Sequence, residues 1–328
     1  MAIITQKKLK FKIPDGKKKE RIDTFLANSI ENITRSRIQK IIKENLVKVN
    51  GIPVKANYKV VPDDDIEVVI PVSPRPDNIE PENIPLDIVF EDEYLIVVNK
   101  PAGLVVHPAV GNYTGTLVHA LLYYTQNLSL LNEESRAGLV HRIDKDTSGL
   151  LVVAKDEWVH AKLAADFAKH NIQREYWAVC WGRFKKRKGE IISNIARSKS
   201  DRKKFTVSET EGKHAHTFYE VIEEFEFASL VKLKLKTGRT HQIRVHLSNI
   251  NHPIFGDEAY GGRRIHTGMS SPKMRDRVNK LLKIMPRQAL HAKTLGFKHP
   301  KTHEELLFDS GLPEDFKNLI NALKTNQY

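Results

Sequence analysis

A chain of 328 residues is longer than one small module needs and suits two domains. Hydrophobic residues at 40% and charged residues at 28% can build an ordinary core, which excludes wholesale disorder. Lys and Arg outnumber Asp and Glu by 53 to 40, which points to a polyanionic partner, nucleic acid before an acidic membrane surface. No apolar run nears the ~18 residues of a spanning helix. The start, Met1-Ala-Ile-Ile-Thr-Gln-Lys7, has no apolar signal core, so a cytoplasmic protein is expected. The single cysteine, Cys180, excludes an internal disulfide, a zinc ribbon and an iron–sulfur site, and no His-Glu-x-x-His spacing occurs.

Residues 1–50 carry 13 Lys and Arg against five acids, a basic bias that falls on a small first domain read over 15–72. Ile22, Phe25, Leu26 and Ile30 recur at helical spacing. A second helix follows Thr34-Arg-Ser36, with Ser36 as its expected N-cap and Ile38, Ile41, Ile42 and Leu46 as its apolar stripe. Val47 to Val54 reads as a hairpin turning on Asn50-Gly51, and Ile66 to Ile70 as a further strand. The basic side chains on this segment, Arg21 and Arg37 among them, suit an RNA-phosphate surface, which gives affinity without choosing a sequence. A Pro-rich stretch then reads as a linker over 73–84, because Pro interrupts both helix and sheet.

The second domain is read over 85–325. It opens with two strands, Leu86–Phe90 and Tyr94–Val98. A buried strand follows at Leu150–Ala154, a helix at Glu157–His170, and an alternating strand at Arg174–Trp181 that places Tyr176, Ala178 and Cys180 on one face. Ala215–Ile222 and Leu230–Lys236 are further strands. Strands outnumber helices without regular βαβ alternation. The expected class is α+β with a mixed, largely antiparallel central sheet flanked by helices and loops.

Three polar constellations stand out. His141-Arg-Ile-Asp-Lys-Asp-Thr-Ser-Gly149 is a charged loop directly before a buried strand, a support on which active sites are placed. Spacing leaves open whether Asp144 or Asp146 is the working carboxylate. Lys236-Thr-Gly-Arg-Thr-His-Gln-Ile-Arg-Val-His246 places Arg239 at a strand-to-helix junction, with Thr240 as a possible cap for a helix whose apolar face is Ile243, Leu247 and Ile250. Arg183 to Lys204 holds ten Lys and Arg against two acids, and reads either as a solvated loop or as a flexible electrostatic clamp for RNA that includes Lys203 and Lys204.

These motifs resemble known families. Arg21-Ile-Asp23 with Leu26, Ser36-Arg37 and Val49-Asn-Gly51 are similar to the S4 RNA-binding domain, with its αL-like fold. His141-Arg-Ile-Asp-Lys-Asp-Thr-Ser-Gly149 resembles the catalytic motif of the pseudouridine synthases of the ribosomal large-subunit type, with Ile143 for the usual Leu. Glu91 to Gly103 with Val106-His-Pro108, Arg174-Glu-Tyr176, Thr237 to His246, and Gly256-Asp257 with Tyr260 match further motifs of that family in the same order. The resemblance implies Asp144 as the catalytic nucleophile, Tyr176 as the tyrosine stacked on the target base, Arg239 as the basic partner of the aspartate, and Arg142 as a helper in the site of the flipped base. It also implies large-subunit (23S) ribosomal RNA as the partner, with transfer RNA second. The reaction is an isomerisation that oxidises and hydrolyses nothing, so neither cofactor nor metal is expected. A monomer is the default. The rival is a non-catalytic RNA-binding scaffold in ribosome assembly. The C-terminal segment containing Met285 to Lys293 is expected to pack on the catalytic sheet.

Overall fold

The computed structural model of the chain describes residues 5–30, 35–72, 79–109, 111–131, 136–265 and 271–325. They fall into two units, Met1–Asp77 and Asn78–Tyr328. Of the linker expected over 73–84, residues 73–78 lie outside the described residues.

The first unit has strands β1 (Thr5–Lys12), β2 (Val47–Val49), β3 (Ile52–Pro53) and β4 (Asp65–Val72) in the order β1-β4-β2-β3, all antiparallel. β1 lies ahead of residue 15, where the sequence reading starts the domain. Helices α1 (Ile22–Ser29) and α2 (Arg35–Lys43) share one core with the sheet, built from Ile22, Leu26, Ile38, Ile41, Val47 and Ile66. The β2–β3 turn falls on Asn50 and Gly51, both left-handed (φ 50° and 82°), as a two-residue hairpin turn of this hand requires. Ser36 lies inside the first turn of α2 and is not its N-cap, because the helix begins at Arg35.

The second unit is built on one mixed sheet. Its strands are β5 (Ile88–Glu91), β6 (Leu95–Lys100), β7 (Ser148–Ala154), β8 (Gln173–Trp181), β9 (Lys188–Arg197), β10 (Phe205–Ser208), β11 (Lys213–Glu224), β12 (Ala228–Leu235), β13 (Leu290–Lys298) and β14 (Glu305–Asp309). The order is β10-β9-β11-β12-β8-β13-β7-β6-β5, with β14 paired to β13. Every pairing is antiparallel except β13 with β7. The C-terminal segment therefore does more than pack on the sheet: β13 is a strand in its middle.

β6 and β7 read as unbroken apolar runs because both faces are covered. Ile96, Val98, Leu151 and Val153 point into one core with α3 (Leu117–Tyr124), α6 (Pro272–Ile284) and α7 (Glu314–Lys324). Leu95, Val97, Leu150 and Val152 point into another, under α4 (Glu157–Ala168). The basic stretch 183–204 is not one continuous loop: Lys188–Arg197 is β9, paired with both β10 and β11. Ile191 and Ile195 are its buried positions, while its two cations, Lys188 and Arg197, stand exposed at the strand ends. Lys203 stays exposed and Lys204 half-buried in the β9–β10 connection, where both backbone N–H groups are held by Asp201.

Candidate active site

Asp144 stands on the loop that enters β7. Its side chain is about one-fifth exposed and lines a cavity of about 480 Å³ together with Arg142, Tyr176, Arg239 and Arg244. That volume is in the range that small-molecule sites occupy. Asp146 does not line it, so the structure separates two carboxylates that spacing left equivalent. The turn closes through the Thr147 N–H on the Asp144 carbonyl, 3.1 Å.

The loop is braced from behind. Lys100 is fully buried, and its ammonium donates to the carbonyls of Pro101 (2.7 Å), Leu104 (2.8 Å) and Lys145 (2.9 Å). The Gly103 N–H reaches the same Lys145 carbonyl at 3.0 Å. Arg287, paired with Asp315 of α7, donates to the Asp146 carbonyl at 2.9 Å. His141 accepts the Val152 N–H at Nε2 (3.0 Å) and stacks on Phe167. Burial and the charge of Arg174 push its pKa well down, as suits a neutral acceptor. Gly149 has φ +113°, and a Cβ there would lie 2.1 Å from the Ala292 carbonyl oxygen, so only glycine lets β7 approach β13.

The cation facing Asp144 is Arg244, not Arg239. Arg244 lies in the first turn of α5 (Gln242–Asn249). Its Nη1 donates to Asp144 Oδ2 at 3.0 Å, while Nε and Nη2 grip both oxygens of the buried Asp257 at 2.7 and 2.9 Å. Burial works against its charge, but the hydrogen bonds and charges of Asp257 and Asp144 together outweigh it, so its pKa is raised. Arg239 instead donates from Nε to the His214 carbonyl at 2.9 Å and sits half in solvent at the cavity. The cause is the turn between them. His241 adopts a left-handed conformation (φ 55°) as the residue before α5, which redirects the chain. Thr240 therefore does not cap the helix. Gln242 ties the turn instead, its Oε1 accepting from the Arg239 N–H (3.0 Å) and the Thr237 hydroxyl (2.7 Å).

His241 was not singled out by the sequence, yet its Nε2 lies 3.9 Å from Asp144 Oδ2. Its Nδ1 meets the Tyr260 hydroxyl at 2.8 Å, and that hydroxyl also accepts from the Phe205 N–H. Burial lowers the pKa of His241, with Asp144 opposing. Tyr176 is buried on β8 at the cavity wall, and burial raises its phenol pKa. Arg142 is exposed at the rim, its Nη1 3.3 Å from His107 Nε2.

In the first unit, Arg21 is not a free cation. It chelates Asp23 at 3.0 and 3.1 Å, and Arg35 and Gln39 close on the same carboxylate. Burial alone would raise the pKa of Asp23, but hydrogen bonds from Arg21, Gln39 and Arg35 win and hold it far below the usual carboxylate range. The Arg37 side chain lies outside the described residues. Among the described residues no group of three or more His, Cys, Asp or Glu side chains could hold a metal ion, and no helix is long and apolar enough to cross a membrane.

Comparison with known proteins places these features in a family. The model of the RNA pseudouridylate synthases matches residues 94–249, and that of the S4 domain residues 20–66. An uncharacterized RNA pseudouridine synthase of Chlorobaculum parvum is 45% identical over 93% of this chain and 94% of its own. The ribosomal large subunit pseudouridine synthase D of Zymomonas mobilis is 46% identical over 92% of this chain and 93% of its own. Among solved structures, the human RNA pseudouridylate synthase domain containing 4 protein is 26% identical with a TM-score of 0.55, covering 73% of this chain and 93% of its own.

Proposed function

The chain belongs to the RNA pseudouridine synthases, and we propose that it isomerises uridines of large-subunit (23S) ribosomal RNA with Asp144 as the catalytic nucleophile. The observation that carries the reading is one ion chain in one cavity: Asp144 held by Arg244, Arg244 held by the buried Asp257, and Tyr176 on the adjoining wall. Relatives more than 40% identical that are named ribosomal large subunit pseudouridine synthase D support the ribosomal target.

In this mechanism the target uridine leaves its stack at a cost of roughly a few kcal/mol. It is received by Tyr176, where base–aromatic stacking returns about 1–3 kcal/mol. Arg142, exposed at the rim, assists the extrusion. The Asp144 carboxylate adds to the nucleotide as the N1–C1′ bond breaks. The base turns, the C5–C1′ bond forms as the Asp144–nucleotide bond breaks and frees the carboxylate, the C5 proton passes to water or is relayed to water through the Tyr176 hydroxyl, and N1 takes up a proton. Composition and oxidation state are unchanged, so the stoichiometry asks for neither cofactor nor metal. Basic side chains of the S4 domain and the β9–β10 connection, Lys203 and Lys204 included, hold RNA phosphates. The protein acts as a cytoplasmic monomer.

The test is conversion of large-subunit ribosomal RNA transcripts by purified protein, with pseudouridines mapped at nucleotide resolution and transfer RNA run beside them. Defined new pseudouridines in the ribosomal transcripts are expected. Conversion of transfer RNA alone would contradict the target.

A further inference from the structure

Arg174 brings a guanidinium to the wall of the same cavity. It sits on β8 two residues before Tyr176, on the same face and toward the exposed end of the strand. Among the described residues no carboxylate pairs with it, and its Nε is buried without a hydrogen-bond partner. A buried polar atom left unpaired costs stability unless a ligand satisfies it. The fold nevertheless makes room for the group. The Phe167 ring lies 5.4 Å from its guanidinium carbon, and a Cβ on Gly238 would come within 2.9 Å of its Nη1. Gly238 thus keeps clear the space that the guanidinium fills.

The surroundings are cationic. Arg239 lines the same rim with its Nε taken by the His214 carbonyl, and Lys236 is exposed beside it. His170, also on the rim, has its pKa lowered by burial and then by the charges of Arg174, Arg239 and Lys236. Neutral uracil oxygens would leave this charge standing, whereas an oxyanion would balance it. The planar fork of an arginine fits two phosphate oxygens at once. Two residues of strand span roughly 6.6 Å, and β8 is exposed at Gln173 and buried from Tyr176 inward apart from half-buried Trp177, which sets Arg174 nearer solvent than a base stacked on Tyr176, within reach of that nucleotide's backbone.

We propose that Arg174, with Arg239 beside it, binds the phosphate of the nucleotide whose base enters the cavity. This rests on the nucleotide-binding reading of the cavity given above, and it makes Arg174 a substrate-binding residue rather than part of the bond-breaking apparatus.

The test titrates the full-length protein with uridine and with uridine 3′,5′-bisphosphate at low salt. Wild type is expected to favour the bisphosphate by about tenfold, which is ~1.4 kcal/mol. Arg174→Gln should close that gap to within about twofold, and Arg174→Lys should keep most of it. In single-turnover conversion of ribosomal RNA, Arg174→Gln should raise the half-saturating protein concentration about tenfold, with the maximal rate nearly unchanged. This difference should shrink as salt rises. Equal affinity of wild type for the two ligands overturns the assignment, and so does a gap that survives in a folded Arg174→Gln variant. A loss confined to the maximal rate also overturns it, placing Arg174 at the reacting atoms. Failure to form pseudouridine at all would defeat the activity reading, while the bisphosphate titration would still decide the role of Arg174.

Discussion

Arg244 faces two carboxylates, and the two contacts differ in kind. Asp257 is fully buried, takes two hydrogen bonds and fixes the plane of the guanidinium. Asp144 takes one hydrogen bond and keeps its other oxygen for the cavity. Arg244→Gln is therefore expected to lower the single-turnover rate by about 100-fold or more, the scale of removing one preorganised donor. Arg239→Gln should act on half-saturation instead. Equal rate losses in the two variants would contradict this division. Asp257→Asn strips the buried arginine of its main counter-charge and should destabilise the second unit by on the order of 3 kcal/mol, read as a lower thermal midpoint. The sequence motif contained both arginines, but their spacing did not reveal which one meets the aspartate. The left-handed His241 between them decides it; His enters that conformation more readily than most residues, but nothing local in the sequence says which His does so. Asp144 and Tyr176 were legible because the surrounding motif is distinctive. Arg174 was legible as part of the motif that carries Tyr176, with no role of its own.

At the scale of elements, the loop before β7 owes its shape to groups far away in sequence. Lys100 is the last residue of β6, and Arg287 reaches the loop from the segment before β13, anchored on α7. Lys100→Met keeps the length of the side chain and removes the ammonium that gathers three carbonyls. The expected result is a folded protein with a somewhat lower melting point. Its turnover should fall by about 10- to 100-fold, because misplacing a reacting group by ~1 Å costs up to that much. RNA affinity should stay within about twofold. Unchanged turnover would show that the brace does not position Asp144. Elements with a strong period were read correctly from the sequence: β7 as an apolar run, the helix α4, and the hairpin on Asn50-Gly51. Elements whose charge hides the period were not. β9 buries Ile191 and Ile195 but is surrounded by lysines and arginines, so charge suggested a loop. β1 is lysine-rich and is defined by pairing with β4, some 60 residues on, which no local pattern encodes.

At the scale of the whole molecule, the two units depend on charge in opposite ways. The small unit concentrates its electrostatics on Asp23, a carboxylate held ionised by Arg21, Arg35 and Gln39. Its folded pKa lies below the unfolded value of about 3.9. The stability it contributes is therefore fully present above that pH and is lost as pH falls through the lower folded value. Amide exchange over Ile22–Leu26 should lose protection under acid more steeply in wild type than in Asp23→Asn, which should already be less protected at neutral pH. Equal acid profiles would remove Asp23 from this role. The large unit instead gathers cations at the cavity and along β9. Beyond the cations tied to the fold, such as Arg244 on Asp257, this charge is in excess, which is why net charge pointed to a polyanion before any motif was considered.

The central claim is that Asp144 carries out the isomerisation. The most direct test is tritium release from ribosomal RNA labelled at uridine C5, comparing wild type with Asp144→Asn, since asparagine keeps the shape of the side chain and removes the anionic nucleophile. Release by wild type and none by a folded, RNA-binding Asp144→Asn protein is the predicted result. Release by both proteins would contradict it.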